Sequence, residues 1–202
     1  MRGLDRAAFL TTATRGGALL ALSAAGAGLL ATSATAASGL LADADLALAR
    51  LAVGAELLAL EFYRQAIESG HFKGNELKHL ERALFNEQEH LTAVSGILTG
   101  AGQTASTADD LTITFPDGTF ASRSSIAKLG VAVETAFVGA YVGAAAAFAP
   151  ADLRSAAASI AASEAEHLSV LSGIAVGRAV GISFPAALDL TAASDALAPF
   201  LS

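Results

Sequence analysis

The sequence predicts an all-α fold: a four-helix bundle of two antiparallel helical hairpins joined by a long crossover, with a short C-terminal tail helix. Three observations predict it. The chain repeats itself: Glu56 and Tyr63 return as Glu134 and Tyr141, and Glu87-Gln88-Glu89-His90 returns as Glu164-Ala165-Glu166-His167, at offsets of 78 and 77 residues. The seven residues after each copy also align, Leu91 to Ile97 against Leu168 to Ile174, four of them identical, and self-similarity of this kind marks a fold of two like halves. Second, hydrophobic residues make up 53% of the chain and aromatics only 6%, and the excess lies in Ala and Leu, which suit closely packed helices. Third, Gly70, Gly100 and Pro150 cut the sequence into long uninterrupted stretches, the spacing expected of helices and their stops.

Residues 1–36 read as a separate segment, an export signal or an N-terminal anchor. Arg2, Arg6 and Arg15 lead into an apolar run from Gly16 to Leu30, followed by Ala34-Thr35-Ala36, a small-x-small cleavage pattern. Arg6-Ala7-Ala8-Phe9-Leu10 is similar to a twin-arginine export signal, although a single Arg fills the pair position. The expectation is an exported protein, in the periplasm, cell envelope or medium. An uncleaved anchor is the alternative, but a run so short and rich in Gly and Ala is a poor span, since spanning takes about 20 apolar residues.

Residues 43–202 form the bundle domain. The first helix is expected over 43–69, with acidic residues at its start and Gly70 as its stop. Asn75 is a suitable N-cap for the second, to about Thr99 before Gly100. Gly100 to Ala121 is rich in Thr, Ser and Asp and reads as non-helical, with an extended Thr112-Ile113-Thr114-Phe115 and a turn at Pro116-Asp117-Gly118. A third helix is expected over 122–147 and a fourth over 151–178, opened by Pro150. A short tail helix is expected over 194–198.

Connection lengths then set the topology. Helices joined by a few residues fold back as antiparallel hairpins. The middle stretch is long enough to run the length of the bundle: a 25-residue helix spans about 37 Å, which an extended chain covers in about 11 residues. Two hairpins related by an approximate two-fold axis follow.

Each key Glu (Glu56, Glu87, Glu134, Glu164) falls near the middle of its helix, and the midpoints of antiparallel helices lie at one level. Four carboxylates therefore converge at the waist. Residues three apart share a helix face, so His90 points with Glu87 and His167 with Glu164. Tyr63 and Tyr141 lie seven residues beyond their Glu and return to its face within about 20°. Glu89 and Glu166 fall on the opposite face, where solvent is expected.

Glu134 carries the sharpest signal, because no other charged residue occurs from Leu129 to Ala151. A carboxylate buried alone costs several kcal/mol and takes up a proton or finds a cation. A membrane span is the other reading of this apolar stretch, but its helical partners carry too many charges. The bare Glu-x-x-His pattern says little by itself, since Glu68–His71 and Glu76–His79 also obey it. Those two pairs sit at helix ends, lack a repeat partner, and are expected to face solvent.

Glu56, Glu87-x-x-His90, Glu134 and Glu164-x-x-His167 resemble the ferritin-like di-metal carboxylate superfamily, over about residues 43–178. The surroundings of Glu56 and the extended crossover are most similar to its exported branch, which includes desiccation-related proteins. The resemblance implies two iron or two manganese ions. Glu56 and His90 would be terminal ligands of one, Glu134 and His167 of the other, and Glu87 and Glu164 would bridge both. It also implies Tyr63 and Tyr141 as hydrogen-bonding partners that orient the ligands. Phe137 stands where rubrerythrin-type peroxidases carry a further carboxylate, which disfavours that activity. A storage cage is disfavoured by the export signal.

A net charge of −7 argues against a nucleic-acid partner, because phosphate binding needs a basic face. No cysteine is present, which removes disulfides and the soft thiolates that select copper(I) or structural zinc. The first expectation is thus an exported di-iron or di-manganese protein that oxidises Fe(II) or removes peroxide, with metal ions and dioxygen or peroxide as partners. The second is a non-catalytic, stress-protective or scaffolding bundle with structural metal or none. Membrane association through the N-terminus and a homo-oligomer both stay open.

Overall fold

The computed structural model describes residues 41–201; the predicted export segment, residues 1–36, lies outside them. The order is α1 (Asp43–Glu68), α2 (Gly74–Gly100), two single 3-10 turns at Ala108–Asp110 and Thr119–Ala121, α3 (Arg123–Ala147), α4 (Ala151–Val176) and α5 (Leu190–Leu197). No strand occurs among the described residues, only one isolated antiparallel bridge between Ile113 and Leu201. α1 packs along α2 and α3 along α4, giving the two expected hairpins.

Local chemistry explains most of the boundaries. Ser122 caps α3 by accepting from the Ser125 N–H at 3.1 Å, and Ser125 returns the favour at the Ser122 N–H, a reciprocal capping box that satisfies otherwise orphaned donors. The expected cap at Asn75 is not used. α2 starts one residue earlier, after an extended Lys73 with no side-chain cap, so Asn75 falls inside the first turn. α4 ends at Val176, two residues sooner than expected. The tail helix begins at Leu190 rather than Ser194, because Asp189 accepts from Ala192 N–H at 2.8 Å; this Asp is the start signal that the sequence reading missed.

The crossover runs the length of the bundle. It leaves the C-terminal end of α2 and delivers Arg123, the first residue of α3, into an ion pair with Glu76 at the start of α2. α3 is therefore parallel to α2. Along the way Thr114 donates to Phe200 O at 3.0 Å, pinning the expected extended stretch to the tail. Pro116 to Thr119 close a turn by a 3.1 Å hydrogen bond, with Gly118 at φ 78°. That left-handed conformation favours Gly at the third turn position.

α3 is long and apolar enough to cross a membrane by composition, yet it packs against α4 and the tail helix, with Val133, Glu134, Phe137, Val138 and Tyr141 buried. Its outer groove is clasped by the tail. Leu188 N–H donates to Gly139 O at 2.9 Å, and a Cβ on Gly143 would lie 1.7 Å from Leu188 O. Only Gly permits that backbone approach.

Candidate metal centre

The four key Glu residues lie on four different helices and are the most deeply buried charged groups in the bundle: Glu56 is 1% exposed, and Glu87, Glu134 and Glu164 are 0%. His167 is buried and His90 nearly so. Glu89 and Glu166 are exposed, as are His71 and His79. The helical geometry therefore separates the central residues from their near neighbours as the spacing predicts.

Each imidazole reaches three carboxylates through Nδ1. His90 Nδ1 lies 3.1 Å from Glu164 Oε1, 3.2 Å from Glu87 Oε2 and 3.7 Å from Glu56 Oε2. His167 Nδ1 lies 2.9 Å from Glu87 Oε1, 3.0 Å from Glu164 Oε2 and 3.9 Å from Glu134 Oε1. Two overlapping groups result, Glu56–Glu87–His90–Glu164 and Glu87–Glu134–Glu164–His167, with donor atoms in each within 4.8 Å of one another. Glu87 and Glu164 belong to both, the place that bridging carboxylates occupy. Adjacent ligands about 2.1 Å from a six-coordinate cation lie about 3.0 Å apart; Glu87 and Glu164 stand at that spacing from the imidazoles, and Glu56 and Glu134 stand farther out.

One oxygen of each carboxylate (Glu56 Oε2, Glu87 Oε1, Glu134 Oε2 and Glu164 Oε1) is buried without a hydrogen bond of good geometry; Glu87 Oε1 and Glu164 Oε1 have only an imidazole Nδ1 nearby, at 2.9 and 3.1 Å, each already aimed at another carboxylate. Buried carboxylate oxygens are rarely left so, because each unsatisfied polar atom costs about 1–3 kcal/mol, and more if charged. Among the described residues no Lys or Arg pairs with them; the Arg ion pairs are at the surface, Arg64 with Glu61 and Glu68, Arg123 with Glu76. Two divalent cations would balance four carboxylates and complete all four orphaned oxygens. The hard oxygen donors and two imidazoles fit iron or manganese.

The second oxygens of Glu87 and Glu164 are held by His90 and His167, and those of Glu134 and Glu56 by the tyrosines, each across to the other repeat. Tyr63 donates to Glu134 and Tyr141 donates to Glu56. Burial, reinforced by the nearby carboxylates, pushes both phenols well above their usual range, so they stay donors. Burial likewise pushes Glu56 and Glu134 well above the ordinary carboxylate range. Burial acts the same way on Glu87, but hydrogen bonds from His167 and His90 outweigh it and bring the group down to about 2. Burial works against charge on the imidazoles too, yet the carboxylates around them win: His90, facing Glu164, Glu56 and Glu87, rises to about 12, and His167, facing Glu164 and Glu87, to about 9. Without a cation, the cluster manages its charge with protons.

Asn86 is a site residue that the sequence reading missed. Its Nδ2 lies 3.1 Å from His167 Nε2 and 3.5 Å from Ser163 Oγ. A cation on Nδ1 leaves the proton on Nε2, so Asn86 would then turn its amide to accept that proton through Oδ1. Asn86 and Ser163 occupy equivalent repeat positions, one before each lead Glu. That offset was legible, but the residues differ in type and so did not register as a pair. Among the described residues no corresponding group holds His90 Nε2.

A small cavity of about 80 Å³ reaches His167 between α2 and α4, with His79, Arg82 and Glu166 at its rim. It leads from the surface to the waist. A family model described as a ferritin-like domain matches residues 44–176. No curated protein matches the chain.

Proposed function

The chain belongs to the ferritin-like domain family, and on that premise we propose that it is an exported di-metal carboxylate protein that oxidises Fe(II) or removes peroxide. The observation that carries this reading is the pair of overlapping carboxylate–imidazole groups, in which four buried carboxylate oxygens lack a well-formed hydrogen bond around two inward-facing Nδ1 atoms. Glu56 and His90 would hold one cation, Glu134 and His167 the other, with Glu87 and Glu164 shared. Bound iron would supply electrons to dioxygen or peroxide, and bound manganese would supply peroxide disproportionation.

The chain's own residues prepare that chemistry. Tyr63 and Tyr141 each fix one oxygen of Glu134 and Glu56, leaving the other free to ligate. Orienting partners of this kind hold ligands in place and tune their basicity. Burial excludes bulk water from the carboxylates, and the small cavity beside His167 has room for a small oxidant. Export is supported by the apolar run led by Arg2, Arg6 and Arg15 and by the small-x-small pattern before residue 37.

The test is metal content after purification without a metal-binding tag, followed by oxygen and peroxide consumption on adding Fe(II) or Mn(II). Two ions per chain with rapid consumption supports the enzyme. Two ions without turnover would favour the structural reading instead.

A further inference from the structure

A second and larger cavity, about 370 Å³, lies at the opposite end of the bundle, between the N-terminal halves of α1 and α4 and the C-terminal halves of α2 and α3. Its wall includes the ring of Tyr141, whose hydroxyl holds Glu56. The repeat shows that this space is built by side chains and is not imposed by the fold. The two cavities are counterparts: Tyr63 corresponds to Tyr141, and the helix positions around them correspond at the same offsets. At the small cavity the wall is Leu80 and Leu171; at the large one Ala157 and Val94 stand in their places. The polar rim changes in step, from His79 and Arg82 to Ala156 and Ser159. Ile160 opposes the trend, standing where Ala83 does, and the space is still more than four times larger.

We propose that this cavity is a binding site for a neutral, single-chain hydrocarbon molecule of medium length, such as a fatty alcohol. Its volume falls in the range of small-molecule sites, which are mostly apolar with few polar groups. An apolar hollow of this size gains nothing from water, since water needs several polar partners to enter. Charge selects the class: among the described residues the one charged group in the lining is Asp152, an acid, and no Lys or Arg faces the space. A fatty carboxylate would meet repulsion there, whereas a hydroxyl can hydrogen-bond to Asp152, Ser155 or Ser159. The apolar end of the ligand lies against Tyr141.

The test uses the full chain, free of metal, and the neutral fluorophore N-phenyl-1-naphthylamine, which brightens in apolar sites. Saturable binding is expected, displaced by 1-dodecanol at least about tenfold better than by dodecanoate. Val94→Leu/Ala157→Leu, which installs the residues of the filled end, is expected to weaken probe binding at least about tenfold while circular dichroism stays unchanged. Ser159→Arg, at the rim, serves if the double variant does not fold; it should reverse the preference toward dodecanoate. Four results would each overturn the proposal: no saturable binding, equal binding by a folded Val94→Leu/Ala157→Leu variant, an unaltered preference in Ser159→Arg, or tighter binding of dodecanoate by the parent chain. So would a dimer seen in sedimentation and lost in the double variant, which would assign the cavity to a second copy. Metal binding is read separately, so either idea can fail alone.

Discussion

At one end of the bundle Phe62, Phe72, Leu80 and Leu171 close the space between the helices, with Phe115 and Phe120 of the crossover packed on them. At the other end the equivalent space is walled by Ala49, Ala144, Ala157 and Val94, and stays hollow. Between them the waist is nearly symmetric, with Glu, Tyr and His matched residue for residue. The contrast shows what each region is required to do. The waist must place six donors around one charge problem, and any unmatched carboxylate there would be buried alone. The ends need only be filled, or left open where something else fills them, so their residues are free to differ.

The largest expected effect breaks the waist. Glu87→Ala or Glu164→Ala should abolish binding of both cations, because each residue belongs to both groups, whereas Glu89→Ala and Glu166→Ala should leave binding intact. The chain has two tyrosines and no Trp, and both tyrosines bond to site carboxylates, so tyrosine emission during a Co(II) titration reads the site directly. Equal losses from all four variants would remove the facial assignment.

Next come the ends. Leu80→Ala puts the hollow end's residue into the packed end and should cost about 2–5 kcal/mol in urea unfolding, the usual range for a buried Leu that leaves a cavity. A cost under about 1 kcal/mol would mean that the two ends are packed alike.

A smaller effect separates the two halves of the waist. Asn86→Ala should weaken one of the two cations about 10–100-fold, as loss of an orienting partner does, while Ser163→Ala leaves both unchanged. Calorimetry would resolve the two binding steps. Equal weakening of both would show that Asn86 does not favour the His167 side.

The gentlest handle is pH. Both imidazoles have raised values in the fold, so the stabilisation that their protons give the metal-free protein is full below about 6.5 and is lost as pH rises, first through about 9 for His167 and then through about 12 for His90. A cation must displace those protons, so binding should release protons and tighten as pH rises. The His167 side should load at the lower pH. Binding with no pH dependence between about 6 and 9 would contradict this.

Much of this was legible in the sequence because it rests on period and offset. The 3.6-residue turn put Glu87 with His90 and turned Glu89 away, and the repeat picked Glu56 and Glu134 out of nineteen acidic residues. The crossover's extended piece was visible in its Thr and Ile, and its turn in Pro116-Asp117-Gly118. What escaped depended on contacts between distant positions. Asn86 reaches His167 across 81 residues, and nothing local announces that. The cavity at Tyr141 is a matter of absent volume at Ala157 and Val94, which appears only when the helices are set side by side. Helix ends slipped where a start signal went unread, as Asp189 did for the tail, or where the expected cap was not used, as at Asn75.

The central claim is that six side chains meet around a pair of cations. Anomalous diffraction from crystals grown with Fe(II) or Mn(II) and recorded across the metal's absorption edge tests it most directly. Two peaks at the waist are expected, one beside Glu56 and His90, the other beside Glu134 and His167, with Glu87 and Glu164 between them. A waist without peaks, or metal held only at His71 or His79, would contradict it.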